Sequence, residues 1–180
     1  MADEHGKVDR DDIAADLERA RIEFHRLLAA AEPEDWSRPS FGTRWTNEQL
    51  LFHMVFGYMV VQRLLLLVRV VSRLPDPLGR AYASLLDAAT TPLHLINYHG
   101  SCAAALVYNR RRMGAKIDRV IASLQRNLAS EDDDDFTRGM HYPTHWDPFF
   151  ADFMTLEDVY RYPGRHFDFH ADQLTLTATQ

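Results

Sequence analysis

The hydrophobic residues of this chain recur at steps of three and four, which is the spacing of amphipathic helices. The first such stripe lies between Asp11 and Ala31, and its large apolar members are Ile13, Leu17, Phe24, Leu27 and Leu28. Asp9 can cap this helix, and Pro33 ends it. Residues 32–44 contain two prolines and a glycine, so we expect a loop there.

A second helix is predicted to begin at Thr46. Thr46 and Gln49 form a capping-box pattern directly before an apolar run that continues to Val71. Pro75 and Pro77 then end the pattern. Apolar residues occupy nearly the whole circumference, so this helix either lies deep inside a bundle or has a second apolar face for a partner subunit.

The rest of the chain predicts two more long helices. Residues 74–90 form a long connection with a short helix near 82–88, and a third helix spans 91–129 with a break or bend at Gly100. The acidic run 131–135 is a solvated surface loop, and the aromatic segment 141–153 is an ordered loop over apolar surface. A last helix spans 155–174, with a kink at Pro163. No segment shows strand-like alternation.

Four main helices predict one all-α domain over residues 1–180, a four-helix bundle with a flexible tail at 1–10. The long connection after the second helix can recross the bundle, which permits the second and third helices to run parallel. His53 would then share one end of the bundle with His94, Asn97 and Cys102.

Charge and composition exclude several classes of function. Acidic residues outnumber basic ones, 26 to 20, for a net charge of -6, which argues against a general nucleic-acid binder. Cys102 is the only cysteine, the start of the chain is polar, and the longest clean apolar run, 54–61, is shorter than a membrane span. We therefore expect a cytoplasmic protein without a transmembrane helix.

The most informative residues are three of the nine histidines. His166 and His170 are four residues apart on one face of a predicted helix, so both can bind one divalent cation. Such pairs also occur as exposed or hydrogen-bonded histidines. His53 lies in an apolar helix and is either a core histidine bonded to a backbone carbonyl or a third ligand facing the last helix. Gly57, one turn later, would allow that helix to approach closely.

Residues 45–53 (WTNEQLLFH), together with 154–159 (MTLEDV) and 166–170 (HFDFH), resemble the DinB/YfiT-like family of four-helix-bundle metalloenzymes. The resemblance spans nearly the whole chain and implies an up-down-down-up arrangement with a long crossover between the second and third helices. It also implies that His53, His166 and His170 bind a divalent metal, zinc or nickel in most cases. It points to two chemistries, namely transfer or isomerisation with a low-molecular-weight thiol such as mycothiol or bacillithiol, and metal-assisted hydrolysis.

Three neutral imidazoles leave a coordination position open, where a bound water is acidified or a substrate polarised. Cys102, His94 and Asp168 all remain open as a fourth ligand. Asp168 is the least favoured because it lies two residues from His166 on a helix and points away.

Several residues near this end of the bundle are candidates for binding and catalysis. Tyr162, one turn before His166, can line the pocket or donate a proton, or simply pack in the core. His94, Asn97 and Arg44 are expected to bind the rest of the substrate.

Other polar clusters have simpler interpretations. Pro143 prevents the helix that would align His141 with His145, which leaves only a loop site for that pair. The arginines at 110–112 are expected on a solvated face, and Cys102 as a small buried core residue.

No dedicated general base stands beside the three histidines in the sequence, which favours thiol chemistry over hydrolysis. The leading hypothesis is a metal-dependent transferase or hydrolase of a small molecule. The alternative is a non-catalytic, metal-stabilised bundle that acts as a homodimeric stress-response or binding module, consistent with the apolar second helix. A third hypothesis is a bundle without metal.

Overall fold

The structure is a computed structural model that describes residues 8–88 and 90–177, without the side chains of 90–96. Within that part the chain forms six α-helices: α1 (Arg10–Ala30), α2 (Asn47–Val71), α3 (Asp76–Ala88), α4 (Thr90–Val107), α5 (Met113–Ser130) and α6 (Leu156–Ala171). A 3-10 helix spans Asp133–Thr137, and two strands, β1 (Gly139–His141) and β2 (Phe153–Thr155), precede α6.

The predicted first, second and last helices are confirmed, and their caps explain where they begin. Asp9 accepts a hydrogen bond from the backbone of Asp12 at 2.9 Å at the start of α1. Thr46 forms the predicted capping box with Gln49 at the start of α2, and α6 begins with a second capping box. The last helix runs continuously through Pro163 and ends at Ala171 rather than at 174.

The predicted third helix is two helices, α4 and α5, and the predicted break at Gly100 is wrong. Gly100 lies inside α4, and the chain leaves the helix between Tyr108 and Arg112. The side chain of Asn109 there accepts a hydrogen bond from the backbone of Arg111 at 3.2 Å. Asparagine bonds of this kind compete with the helical pattern. The short helix expected near 82–88 is α3, which begins earlier, at Asp76.

The expectation of no strands is also wrong. β1 and β2 pair antiparallel, with Met140 opposite Met154, and close the base of the aromatic loop between them. Gly139 is needed in this pairing because an added Cβ would lie 2.6 Å from the carbonyl oxygen of Met154. Strands of three residues are too short to show an alternating pattern in the sequence.

The fold is mainly helical, and one hydrophobic core runs through it from Ile13 to Leu176. Helix α2 lies at its centre and packs against α4, α5 and α6, while α1 packs against α5 and α6. The up-down-down-up order of the bundle stays a prediction.

Helix α2 is also the one described helix that is long and apolar enough to cross a membrane, by length and composition alone. Half of its most apolar window is buried inside the structure. Leu66 and Val70, each 57% exposed, lie on its outer face. The homodimer and cytoplasmic location expected from the sequence stay predictions.

The segment after α6, residues 172–177, runs back along the start of α2. The backbone N–H of Thr175 donates to the side chain of Asn47 at 3.1 Å, and Asn47 in turn donates to the carbonyl oxygen of Asp35 at 2.9 Å. The hydroxyl of Thr177 donates to the carboxylate of Asp35 at 2.8 Å. These bonds tie the end of α6 to the beginning of α2.

Candidate metal centre

Three buried histidines from two distant parts of the chain come together between α2 and α6. Each of His53, His166 and His170 offers one ring nitrogen, and these nitrogens lie within 4.8 Å of one another. The ring centroids are 5.1 Å apart for His53 and His166, 4.8 Å for His53 and His170, and 4.5 Å for the pair on α6. Among the described residues this is the one cluster of three or more groups that could hold a metal ion.

Two of the rings are held by hydrogen bonds at Nδ1. His170 Nδ1 lies 2.7 Å from the amide oxygen of Gln173, which can only accept, so Nδ1 carries the proton. His53 Nδ1 lies 3.3 Å from the hydroxyl of Ser101 on α4. A proton on Nδ1 leaves the lone pair on Nε2, which is the form in which an imidazole binds a metal.

His166 is seated against a glycine. An added Cβ at Gly57 would lie 2.8 Å from His166 Nδ1, closer than side-chain atoms approach. The glycine therefore lets α6 bring this ring against α2, as the sequence suggested.

Burial keeps the three imidazoles neutral. It lowers the pKa of His53 to about 3, with a smaller contribution from His170. Burial also lowers the pKa of His166 well below its ordinary value, and lowers that of His170. Neutral rings are what a metal requires of histidine.

An aromatic stack covers one side of the cluster. The indole of Trp45 lies 4.3 Å from the His53 ring, nearly parallel to it, and Tyr98 lies 6.0 Å from Trp45. The guanidinium of Arg44 lies 4.9 Å from the centre of the Tyr98 ring. Arg44 is itself exposed and does not line the cavity beside His53 and His166, and its role in binding substrate stays a prediction.

A cavity of about 180 Å³ opens beside His53 and His166. Most of its wall is apolar and comes from α2, α6 and the loop between the strands: Phe56, Val60, Trp146, Phe150 and Tyr162. Asn97 from α4 and Asp147 from the loop add polar atoms. Tyr162 and Asn97, which were expected near the site, thus line the same cavity as His53 and His166.

Asp147 is the acidic group of the cavity, and sequence reasoning did not find it. Its Oδ2 accepts a hydrogen bond from the Tyr162 hydroxyl at 2.9 Å and lies 3.8 Å from His166 Nε2. Its Oδ1 accepts from the backbone N–H of Phe149 at 2.9 Å. Burial raises the pKa of Asp147, against the effect of these hydrogen bonds. Burial, followed by the nearby Asp147, raises the pKa of Tyr162.

The other candidate ligands are placed less favourably or lie outside the description. The side chain of His94 falls outside the described residues. Asp168 is bound by Arg19 at 2.9 Å on the exposed side of α6. Cys102 is a free cysteine that is half-buried rather than fully buried. His141 and His145 face different carboxylates, Asp76 and Asp87, and belong to no cluster of ligands in the described structure.

Three polar residues of the site were missed because periodicity does not reveal them. Asp147 lies in a loop, Gln173 follows the last helical turn, and Ser101 lies on α4, a helix that carries none of the three histidines. One signal was available for Gln173, since it lies three residues after His170, within reach of its ring.

Comparison with known proteins adds one finding. A family model described as the DinB superfamily matches residues 16–174, nearly the whole chain. No curated protein matches the chain significantly. No solved structure matches it significantly either.

Proposed function

The chain belongs to the DinB superfamily, and on that premise we propose that it is a metal-dependent hydrolase of a small molecule. The observation that carries the proposal is the position of Asp147, whose carboxylate lies 3.8 Å from one of three converging histidines. A cluster of ligands, a base and an apolar cavity are the parts that such a reaction needs.

The residues fit a divalent metal. Three neutral imidazoles, one of them (His170) with the proton held on Nδ1, are a ligand set that zinc and nickel accept. The superfamily is itself associated with metals. When bound, the metal would supply Lewis acidity and a nucleophilic water at neutral pH.

Asp147 can act as the general base. In hydrolysis the water oxygen forms a bond to the electrophilic carbon, the bond to the leaving group breaks, and the water proton passes to Asp147 Oδ2. That proton then goes to the leaving group. The raised pKa of Asp147 suits this exchange because a base works best when its pKa lies near the operating pH.

Tyr162 holds the base in position. Its hydroxyl donates to the same Oδ2 that would take the proton, and its ring contacts Phe150 at a centroid distance of 4.9 Å. The backbone of Phe149 fixes the other carboxylate oxygen. The carboxylate therefore needs little reorganisation during the reaction.

Thiol transfer is the second candidate, with a thiol in place of water as the nucleophile. In the sequence, the lack of a general base beside the histidines favoured thiol transfer over hydrolysis. Asp147 can serve as that base, so this reason for preferring thiol transfer no longer holds. A metal-held structural site, with Asp147 as a fourth ligand, is the non-catalytic alternative.

The test uses protein purified without a histidine tag and loaded with Co²⁺. We expect one cobalt per chain, a visible spectrum that changes when an exogenous thiol or azide is added, and hydrolysis of p-nitrophenyl acetate. His53→Ala should remove both the cobalt and the hydrolysis, while Asp147→Asn should keep the cobalt and lose the hydrolysis.

Each alternative predicts a different result. A cobalt spectrum that does not change when thiol or azide is added, together with no hydrolysis, would support a structural metal whose ligands all come from the protein. Equal hydrolysis by wild type and His53→Ala would refute the proposal. Turnover with a thiol acceptor but not with water would favour transfer.

A further inference from the structure

Positive charge is concentrated in one segment of an acidic chain. Residues 106–126 contain six basic residues and one acidic residue, an excess of five positive charges. Since the whole chain has a net charge of -6, the rest of it has a net charge of -11. Such a distribution gives the molecule one surface that attracts anions, while the remaining surface repels them.

The basic residues of this segment lie at the surface, before and along α5. Residues 110–112, all arginines, form the exposed turn that precedes the helix, as the sequence predicted. Lys116, Arg119 and Arg126 follow at spacings that place them within an arc of about 80° around the helix. The buried residues of α5 lie on its other side: Met113, Ile117, Val120, Ile121, Leu124 and Leu128. We call the six basic residues the basic patch.

No side chain of the basic patch forms an ion pair within the part of the chain that the structure describes. Asp118, the acidic residue of the segment, faces α1, where it lies 2.8 Å from His25 and 3.3 Å from Arg21. Glu48 accepts a hydrogen bond from the backbone N–H of Arg110 rather than from its guanidinium. The charges of the patch are therefore available to an external anion.

Surface arginines on other helices do have carboxylate partners. Arg80 on α3 lies 2.8 Å from Asp76, and Arg161 on α6 lies 2.8 Å from Glu157. The start of α5 has neither an acidic residue in its first turn nor a side-chain cap at Arg112. Cations at a helix N-terminus oppose the helix dipole, so an anion bound there would be stabilised by the dipole and by the arginines together.

Two exposed aliphatic side chains lie beside the patch. Leu106 and Val107, the last residues of α4, are 82% and 54% exposed. Leu106 lines one surface groove together with Arg110 and Arg111. Apolar side chains that enter the boundary of the acyl chains, next to basic side chains that meet lipid phosphates, are the two signals of a membrane-surface site.

A nucleic acid would use this surface less well. Binding of single strands depends on aromatic rings on which the bases stack. Two rings beside the patch are already covered, Trp36 by the guanidinium of Arg110 at 5.9 Å and Tyr108 by the ammonium group of Lys116 at 5.2 Å. A phosphate backbone would also leave Leu106 exposed to water.

We propose that the basic patch, together with Leu106 and Val107, binds the surface of an anionic lipid bilayer. The acidic remainder of the chain does not prevent this, because exposed charges more than about 8 Å apart are largely screened at physiological ionic strength. The acidic run 131–135 after α5 is partly neutralised by ion pairs of its own, with Arg10 and Arg138. The proposal uses no residue of the metal centre and does not rest on the proposed function.

The experiment is co-sedimentation of the full chain with vesicles of phosphatidylcholine, with and without phosphatidylglycerol. We expect binding to the anionic vesicles in about 0.1 M salt and its loss in about 1 M salt, where the Debye length falls to about 3 Å. Vesicles of phosphatidylcholine alone should bind far more weakly. Equal binding to the two compositions, or no binding to the anionic vesicles, would overturn the proposal.

Charge variants locate the contact. Arg111→Gln with Arg119→Gln should weaken binding to the anionic vesicles about 25-fold, because each basic side chain near such a surface contributes about fivefold. Arg80→Gln with Arg161→Gln removes the same charge from paired arginines on α3 and α6 and should bind like the wild type. An equal loss in both double variants would show that the patch is not the contact, and the proposal would fail.

An apolar variant separates a bilayer from a soluble anion. Leu106→Ser should weaken vesicle binding at least about fivefold without any change of charge, whereas Leu85→Ser, at an exposed leucine of α3, should not. Arg111, Arg119 and Leu106 are all exposed, so urea unfolding of these variants should match the wild type. If polyglutamate or a DNA duplex binds through the two arginines, independently of Leu106, and the vesicles do not bind, the patch serves a soluble acidic partner and the proposal is wrong.

Discussion

Replacing Gly57 by alanine should disturb the metal centre from a position that carries no ligand. The new Cβ would lie 2.8 Å from His166 Nδ1 and 3.0 Å from Cε1 of the same ring, whereas ordinary contact begins at 3.4 Å. The ring must therefore move by about 0.6 Å, since helix backbone yields less readily than a side chain.

That displacement exceeds what a metal site tolerates. Ligand distances are normally held to about 0.2 Å, and loss of the groups that orient a ligand costs about 10- to 100-fold in metal affinity. We expect Gly57→Ala to bind Zn²⁺ at least tenfold more weakly. Alanine gains about 1 kcal/mol in helix propensity over glycine, while overpacking costs about 1–3 kcal/mol. The free energy of unfolding without metal should then fall by no more than about 2 kcal/mol.

The assay is competition for Zn²⁺ against a chromophoric chelator, with urea unfolding of the metal-free protein alongside. Gly100→Ala is the matched control because nothing lies within 4 Å of its added Cβ in α4. It should keep the wild-type metal affinity. Wild-type affinity in Gly57→Ala would show that His166 does not bind the metal from the position described here.

Three further predictions concern the hydrogen bonds and protonation of the site. Gln173→Ala should weaken Zn²⁺ binding about tenfold in the same competition assay, because His170 loses the acceptor that fixes its tautomer; an unchanged affinity would count against that role. Tyr162→Phe should move the acid limb of the pH–rate profile to higher pH, because removal of the hydroxyl raises the pKa of Asp147 further; a shift to lower pH would contradict this. The metal-free protein should lose stability as the pH falls from about 6.5 toward 3, since the unfolded chain protonates while His53 stays neutral, by up to about 1.4 kcal/mol per pH unit for each such histidine. Urea unfolding between pH 7 and 4 should give a shallower slope for His53→Gln, and equal slopes would refute the assignment.

The helices that carry the three histidines could be predicted because their signals are local. Thr46 and Thr155 begin α2 and α6 with capping boxes, and the apolar spacing fixes which face is buried. His166 and His170 share a face by their spacing alone. Their meeting with His53 depends on the packing of two helices more than a hundred residues apart. The sequence left this as one of two alternatives for His53, and the resemblance to a family favoured it.

The rest of the site depends on contacts that leave no periodic trace. Asp147 reaches the cavity because β1 and β2 close a loop whose strands are only three residues long. The chain divides α4 from α5 near Asn109, whose side chain accepts a backbone hydrogen bond, whereas the sequence predicted a break or bend at Gly100. Arg44 was expected in the pocket because of its position in the chain, but it stacks on Tyr98 at the surface.

The bonds between residues 172–177 and the start of α2 make the far end of the chain a brace for the histidines. These bonds join the stretch of chain that contains His170 and Gln173 to the first turn of α2, which leads to His53. Removal of residues 172–177 would release the carboxyl end of α6 from α2. Of the three histidines, His170 would be the first to move, because it would also lose its hydrogen bond to Gln173.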